Sequence, residues 1–568
     1  MIAPLFYDTK SGAYYRRIII AVCACITALA GLFVLPPIDR DESRFAQATA
    51  QMLESGDFVT IRFQDDERNK KPIGVHWLQA ASVNFLSDAE ARNIWAYRVP
   101  SVISVILAAL LTLFIGEALL GTRVGFLAGL MMATTPIIAA EATFAKSDAA
   151  LLASVLLAMA CLVSIVTKRQ SGTSAPGFAS FGFWVAVGMG ILLKGPIILI
   201  AVIPPLAFAQ MRCAAFRVMQ DLRPLLGVAI VIIMVAPWAV LIGLNTEGRF
   251  FSEAVGGDLL GKIGSVQERH WGPPGYHMVL AAALLWPATP FLAHGVWRGV
   301  KMRREWQFGL LLAWLVPGWI LFEATATKLP HYPLPLYPPL AILAAAAAVS
   351  AKDTPFLLNR MGVILLGVIG LGMAVLISAG PISGTANYST LQAVGLSLLF
   401  VAGVGGACLY YWRGRNVRGV CLVSLMSMVF AWVLLQEIGP TLAPVNISTR
   451  LATVVKSAQL HEINDNAPAA ILSGYSEPSA IFLLGTKTRL LPATAAAQAI
   501  NAHHNGAHRD GAHHGGANQV GAIIIEAQQL DVFKEALSND VQLRLIGQID
   551  GINYSNGKMI SLMVYTNE

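Results

Sequence analysis

Pro36-Pro37-Ile38-Asp39-Arg40-Asp41-Glu42-Ser43-Arg44-Phe45 and, further on, Arg68-Asn69-Lys70-Lys71-Pro72-Ile73-Gly74-Val75-His76-Trp77 lie between the first two apolar runs long enough to cross a membrane. One loop therefore gathers acids and bases between long hydrophobic segments. A membrane-spanning scaffold needs no such loop for its stability. Chemistry on an anionic substrate presented at the membrane surface does.

Outward from this loop the chain is apolar. Of its 568 residues, 55% are hydrophobic and 13% charged, and the mean hydropathy is +0.61. Soluble domains are nearer a quarter charged, so the composition is that of a polytopic membrane protein. Crossing ~30 Å of hydrocarbon takes about 20 residues of helix. Runs of roughly that length lie near 17–37, 99–119, 124–140, 149–166, 179–193, 195–211 and 224–244. Others lie near 277–297, 307–323, 333–351, 361–380, 391–411 and 419–437, about thirteen in all. The first follows Arg16-Arg17, with no small-residue cleavage site before Pro36-Pro37, and is expected to be a retained helix.

Basic residues set the expected orientation. Alternate loops carry Lys10/Arg16/Arg17, Arg123, Lys168/Arg169, Arg212/Arg217/Arg223, Arg298/Lys301/Arg303/Arg304, Lys352/Arg360 and Arg413/Arg415/Arg418. With these inside, the amino terminus is cytoplasmic and residues beyond about 440 are outside. The net charge of +7 is spread too thinly to argue for nucleic acid. All six cysteines (Cys23, Cys25, Cys161, Cys213, Cys408, Cys421) fall in or beside expected spans, so no disulfide framework is implied.

Two domains are expected: 1–440 across the membrane, including the outside loop 38–98, and 441–568 as a small outside α/β domain. Within the loop, Phe45, Ala48, Met52 and Leu53 share one helical face, and Gly56 supplies a stop. A second surface helix is expected from Pro72, with Leu78, Ser82 and Phe85 along one side. In the last domain, 469–472, 481–484, 521–525, 542–548 and 559–565 read as strands, and 528–537 as a helix. Asn501 to Asn518, with His503, His504, His508, His513 and His514, reads as a solvated insertion rather than a metal site.

Asp39 to Arg44 has two readings. An aspartate at a helix start caps free backbone donors, and a carboxylate held ionised beside cations can also take a proton from a hydroxyl. Lysines before a helix start, as in Lys70-Lys71-Pro72, add charge to donors that already favour anions. Further ionisable groups stand at the outside ends of other spans: Glu141 to Asp148, Lys194-Gly195-Pro196, Glu268-Arg269-His270 and Thr327-Lys328-Leu329-Pro330-His331-Tyr332. Such groups are costly at membrane depth and usually face a cavity. Pro330 to Pro339 contains five prolines, so the chain there is broken or extended. Irregular backbone at that depth requires a protein-lined cavity.

These motifs resemble a known family. Asp41-Glu42-Ser43-Arg44-Phe45, Leu53-Glu54-Ser55-Gly56-Asp57-Phe58, Lys71-Pro72 with Trp77-Leu78, Lys194-Gly195-Pro196 and Lys328-Leu329-Pro330-His331-Tyr332 are similar to the bacterial aminoarabinose (lipid A) glycosyltransferases. Those belong to the GT-C superfamily, with the protein O-mannosyltransferases. The resemblance implies an inner-membrane, inverting glycosyltransferase with a periplasmic active site. It also implies a sugar donor on polyprenyl (undecaprenyl) phosphate and a lipid or glycan acceptor such as lipid A. Carried over by position, Asp41 is the catalytic carboxylate. Lys71, Arg269, Lys194 and Arg44 serve the donor phosphate, and Asp148, Tyr332 and Lys328 line the substrate cavity. The family usually has an aromatic residue and then Glu, associated with a bound metal, before the lysine. Asn69 and Lys70 stand there, so no cofactor is assigned, a divalent metal included. A monomer is expected. The alternatives are a transporter or flippase for anionic lipid-linked sugars, which would need a polar path to both faces, and an oligosaccharyltransferase acting on Asn, whose acceptor-binding motifs are not evident.

Overall fold

Lys10–Leu29 is the first long apolar helix in the computed structural model, which describes residues 9–173, 177–212, 218–260, 272–350, 356–382, 388–465, 467–509 and 521–567. Thr9 caps it by accepting the Gly12 N–H at 3.1 Å. It ends earlier than expected from hydropathy because Gly31 takes a left-handed φ of 73° and turns the chain before Pro36-Pro37.

Among the described residues, nine helices are long and apolar enough to cross a membrane, or up to eleven if two bent pairs each count as one span. The bent pairs are Thr122–Thr134 with Pro136–Ala142, at 54°, and Tyr276–Leu284 with Trp286–Lys301, at 111°. Ile197–Arg212 and Leu334–Val349 are shorter apolar helices. Every expected run is thus helical over most of its length, two of them as bent pairs and two as shorter helices. The Ile94–Leu120 and Thr122–Thr134 helices approach closely through small residues. A Cβ on Gly116 would lie 2.7 Å from Gly125 Cα. Arg16, buried at that end, donates to Glu117 at 2.5 Å.

The chain divides into two compact units. One comprises residues 1–33, 69–75 and 98–438, and the other comprises 34–68, 76–97 and 439–568. Most of the 38–98 loop therefore groups with the carboxy-terminal residues rather than with the spans, for reasons visible in its hydrogen bonds. Gln47 and Arg92 donate to the Thr486 hydroxyl at 2.8 and 3.0 Å. Segment 69–75 stays with the membrane unit. A Cβ on Gly74 would meet the Leu192 carbonyl oxygen at 2.7 Å, so only glycine admits this contact.

In the second unit, Asp41–Ser55 is the expected helix, closed by Gly56 at φ 71°. The next helix is Gly74–Leu86, beginning two residues after Pro72. Leu78, Ser82 and Phe85 lie on its less buried side, with Phe85 83% exposed, while Val75, His76, Gln79, Ala80 and Val83 are buried. Two polar residues, His76 and Gln79, belong to that buried side, which apolar periodicity alone would not select. Arg62–Phe63 (β1) pairs with Asp66–Glu67 (β2) in a small ladder.

The carboxy-terminal sheet contains Ile471–Ser473 (β3), Arg489–Leu490 (β4), Ile523–Glu526 (β5), Leu543–Asn553 (β6) and Lys558–Asn567 (β7), in the order β4-β3-β5-β7-β6. The β4/β3 and β3/β5 pairs are parallel, while β5/β7 and β7/β6 are antiparallel. Alternate residues of the Ile523-Ile524-Ile525 run serve two cores. Ile524 packs with Leu451 and Val455 of the Ile447–Ser457 helix, and Ile523 and Ile525 with Ala496 and Ile500 of Ala493–Arg509. Burial on both faces explains the unbroken apolar run. Residues 481–484, expected as a strand, are instead the end of the Pro478–Leu484 helix, started by Pro478 and stopped at Gly485 with φ 135°. A four-residue apolar run fits either element, and the flanking Pro and Gly decide it. The histidine-rich tract is helical through Arg509, and His513 and His514 lie outside the described residues.

Gly74→Ala should destabilise the membrane unit by about 1–3 kcal/mol, because a backbone carbonyl has to move. A detergent melt of the purified chain that matches the parent would contradict this packing.

Candidate active site

In the membrane unit three interruptions of helix bring charged side chains together. The Gly177–Lys194 helix stops because Gly195 adopts φ 67° and donates to the Ile191 carbonyl at 2.8 Å, with Pro196 next. Lys194 is therefore the last helical residue. Asp148 is the first residue of Asp148–Gln170, after an irregular stretch from Thr143. The third break spans residues 325–336, where the prolines permit only turns and a short 3-10 segment, and the Tyr337 hydroxyl donates to the Pro330 carbonyl at 3.3 Å.

These breaks meet at Asp148, which is 7% exposed. The Lys194 ammonium donates to its Oδ1. Lys146 Nζ lies 2.9 Å from Glu141 Oε1 and 3.7 Å from Asp148 Oδ2. His331 Nε2 stands 3.9 Å from Asp148 Oδ1. The Lys194 ammonium also lies 6.0 Å from the centre of the Tyr332 ring, at cation–π range. Two carboxylates thus face two ammoniums in a charge-balanced group, with an aromatic wall and an imidazole beside it. Lys146, Glu141 and His331 were legible only as parts of motifs and carried no separate assignment.

Lys328 was expected to line the substrate cavity. It is buried, and its ammonium donates to the carbonyls of Gly272 and Thr325, both at 3.0 Å. Nearby, Glu323 accepts backbone N–H groups of Gly275, His277 and Met278 at 3.1, 3.0 and 3.2 Å. These contacts fix the start of the Tyr276–Leu284 helix against the proline-rich segment. Lys71 is half-buried, three residues before the Gly74 contact with Leu192. Arg269 lies outside the described residues.

In the second unit Asp41 is exposed and opens the Asp41–Ser55 helix, whose start carries no side-chain cap. Arg40 before it has φ 69°, a sparsely populated conformation for a residue with a side chain. Asp39 is bonded away from that helix. Its carboxylate accepts the Ser479 N–H at 2.9 Å, and its own N–H donates to the Tyr554 hydroxyl oxygen. The Arg40 guanidinium donates to the Ser555 carbonyl. Glu42 accepts the Ile38 N–H at 2.9 Å, and Ser43 donates its hydroxyl to the Ile38 carbonyl at 2.7 Å. Burial pushes the Asp39 carboxyl up to about 6. The Ser479 hydrogen bonds and half-buried Arg44 oppose that shift, and Glu477 adds to it. Burial, aided by the Arg68 charge, holds His76 neutral at about 3, and its Nδ1 lies 2.8 Å from the Thr49 hydroxyl. Asp39 escaped the sequence reading as a distinct element because its partners are more than 400 residues away.

Lys70, where the resemblance places a glutamate, is an exposed lysine, and among the described residues no three His, Cys, Asp or Glu side chains gather as a metal site.

Broken spans around a buried ionic cluster, in one chain with a small α/β domain, make a polytopic membrane protein. Residues 70–241 match the family model of dolichyl-phosphate-mannose-protein mannosyltransferases. The chain is 29% identical over 481 residues to the undecaprenyl phosphate-alpha-4-amino-4-deoxy-L-arabinose arabinosyl transferase of Aeromonas salmonicida, covering 80% of this chain and 85% of that one. The enzyme of the same name from Aeromonas hydrophila is 28% identical over 478 residues, covering 80% and 84%. The crystal structure of ArnT from Cupriavidus metallidurans bound to undecaprenyl phosphate shares the fold, with a TM-score of 0.73 at 17% identity over 98% of both chains. The chain is thus similar over four-fifths of its length to the undecaprenyl phosphate-aminoarabinose transferases, shares the fold of that crystal structure, and is a multi-pass membrane protein by its apolar helices.

Two outcomes test the geometry. Asp148→Ala should cost about 3 kcal/mol by leaving Lys194 buried without its carboxylate, whereas Asp148→Ala/Lys194→Met should recover part of that loss in a detergent melt. For Asp39 the folded pKa is raised, so the folded state binds the extra proton between the ordinary value of 3.8 and about 6. Stability of this unit should fall on the order of 1–2 kcal/mol as pH rises through that window, and Asp39→Asn should flatten the dependence in pH-resolved melts.

Proposed function

We propose that this chain transfers a sugar from polyprenyl (undecaprenyl) phosphate to a hydroxyl or phosphate of an envelope acceptor, with lipid A the first candidate and aminoarabinose the first candidate sugar. The observation carrying this reading is the match over four-fifths of the chain to transferases named for that donor and sugar. It agrees with a buried ionic cluster at the broken ends of spans. A transporter reading is not favoured, since the matched relatives are named as transferases. In the proposed topology the amino terminus is cytoplasmic, and the active site and carboxy-terminal domain are periplasmic. The enzyme works as a monomer.

In the reaction, the acceptor oxygen attacks the anomeric carbon from the face opposite the phosphate. The carbon–oxygen bond to phosphate breaks, and its electron pair leaves with the polyprenyl phosphate, so configuration inverts. Asp41 takes or directs the acceptor proton. Its exposure at a helix start suits a group that has to reach an incoming hydroxyl. Arg44, one turn on, is assigned to the donor phosphate. Lys71, Arg269 and Lys194 are assigned to the charge that grows on the departing phosphate. Asp148 sets the position of Lys194, Tyr332 supplies an aromatic wall, and Lys328 shapes the proline-rich segment through its two carbonyl contacts.

Asp41→Asn should lower turnover by about 10²–10⁴-fold while changing the donor KM little. The measurement is mass-spectrometric detection of modified lipid A formed by the purified chain from undecaprenyl phosphate-aminoarabinose. Full activity of Asp41→Asn would remove Asp41 as the base.

A further inference from the structure

We propose that the carboxy-terminal α/β domain is a positioning element for the Asp41–Ser55 helix, with Asp39, Arg40 and Tyr554 as the positioning residues that set where Asp41 stands. The inference rests on the reading of Asp41 as the base. It gives a task to a domain that carries no catalytic motif of its own.

One segment of that domain reaches two places on the helix. At the helix start, Ser479 donates its N–H to the Asp39 carboxylate at 2.9 Å, and the turn between β6 and β7 supplies the Tyr554 hydroxyl to the Asp39 N–H and the Ser555 carbonyl to Arg40. That turn is itself fixed. Glu477 accepts from Asn553 at 2.8 Å and from the Ser555 hydroxyl at 3.0 Å. Ser479 donates its hydroxyl to Ser448 at 2.6 Å, and Ser448 lies 2.8 Å from the Tyr475 hydroxyl. Farther along, Thr486 receives the Gln47 amide at 2.8 Å and donates to Glu54 at 2.8 Å, and Arg92 binds Gln47, Thr486 and Glu54. Gln64, which accepts from and donates to Gln51, also donates to the Thr486 and Thr488 carbonyls.

The need for such a hold is local. No side chain caps the helix start, and Arg40 occupies a conformation that persists only when its surroundings over-determine it. Asp41 is the next residue. A general base has to sit within hydrogen-bond reach of its proton, and a displacement near 1 Å can cost about 10²-fold in rate. Residues 39 and 40 therefore convert the rigidity of the sheet domain into a fixed place for a carboxylate that itself stays exposed.

The test uses the full-length purified chain with undecaprenyl phosphate-aminoarabinose and lipid A. Asp39→Ala and Tyr554→Phe should lower kcat by about 10-fold or more, with the donor KM within about twofold and melts that show a folded chain. Tyr554→Phe removes one hydroxyl from a partly exposed ring, so it keeps the test readable should Asp39→Ala unfold. Asp39→Asn, which keeps an acceptor for the Ser479 N–H, should restore most of the lost turnover. Folded Asp39→Ala and Tyr554→Phe enzymes with parental kcat would overturn the proposal, as would losses that follow the folded fraction alone. Asp41→Asn assayed in parallel separates the two claims. If it is inactive beside unaffected Asp39→Ala and Tyr554→Phe enzymes, positioning falls alone; if it is active, the base assignment falls and positioning loses its target.

Discussion

An ionised carboxylate cannot be left alone at membrane depth, and Asp148 is the residue on which this constraint acts most visibly. Its compensation comes from Lys194, at the end of one helix, and Lys146, in the stretch just before its own. Neither lysine can reach it unless the helices are interrupted where they are. The left-handed Gly195 ends one helix after Lys194, and the prolines from Pro330 onward leave residues 325–336 irregular. Irregular backbone of this kind is tolerated where protein surrounds it. The charge pairing and the broken spans are therefore two aspects of one arrangement.

The second unit solves a similar problem with different groups. Asp39 has a backbone N–H as its partner rather than a paired ammonium, and burial therefore raises its pKa despite Arg44. Arg92, buried, is held by an amide and a carboxylate of the Asp41–Ser55 helix and by the Thr486 hydroxyl. Such hydrogen-bonded groups are expensive to break singly, because each lost partner leaves a buried polar atom unsatisfied. The result is a helix whose place is specified by directional bonds as well as by the packing of Phe45, Ala48 and Met52.

The membrane architecture was legible because hydropathy is a one-dimensional signal. Each long apolar run became a helix, and Gly195-Pro196 and Pro330 to Pro339 marked real interruptions. The motif residues of the membrane unit were also legible in part, since Asp148, Lys194 and Tyr332 do come together. What was not legible depended on local punctuation or on partners far away in sequence. The Gly272 carbonyl that takes the Lys328 ammonium is 56 residues away. Residues 481–484 satisfied the apolar pattern of a strand, yet Pro478 and Gly485 made them a helix. The buried side of Gly74–Leu86 includes His76 and Gln79, which bond Thr49, and no apolar period would select them.

The balance of charge around Asp148 bears on the proposed chemistry. A phosphodiester donor carries one negative charge, and the polyprenyl phosphate that leaves gains more as the bond breaks. A pocket with surplus fixed cations would bind donor and product strongly alike, which lowers the energy of ground states and holds back release. Lys194 is instead shared, bonded to Asp148 and set against the Tyr332 ring. A cation already paired gives a modest attraction to the singly charged donor and a larger one as charge accumulates in the transition state. Removing Asp148 would free Lys194 to bind product. In the proposed reaction the carboxylate would serve turnover by restraining the cation beside it.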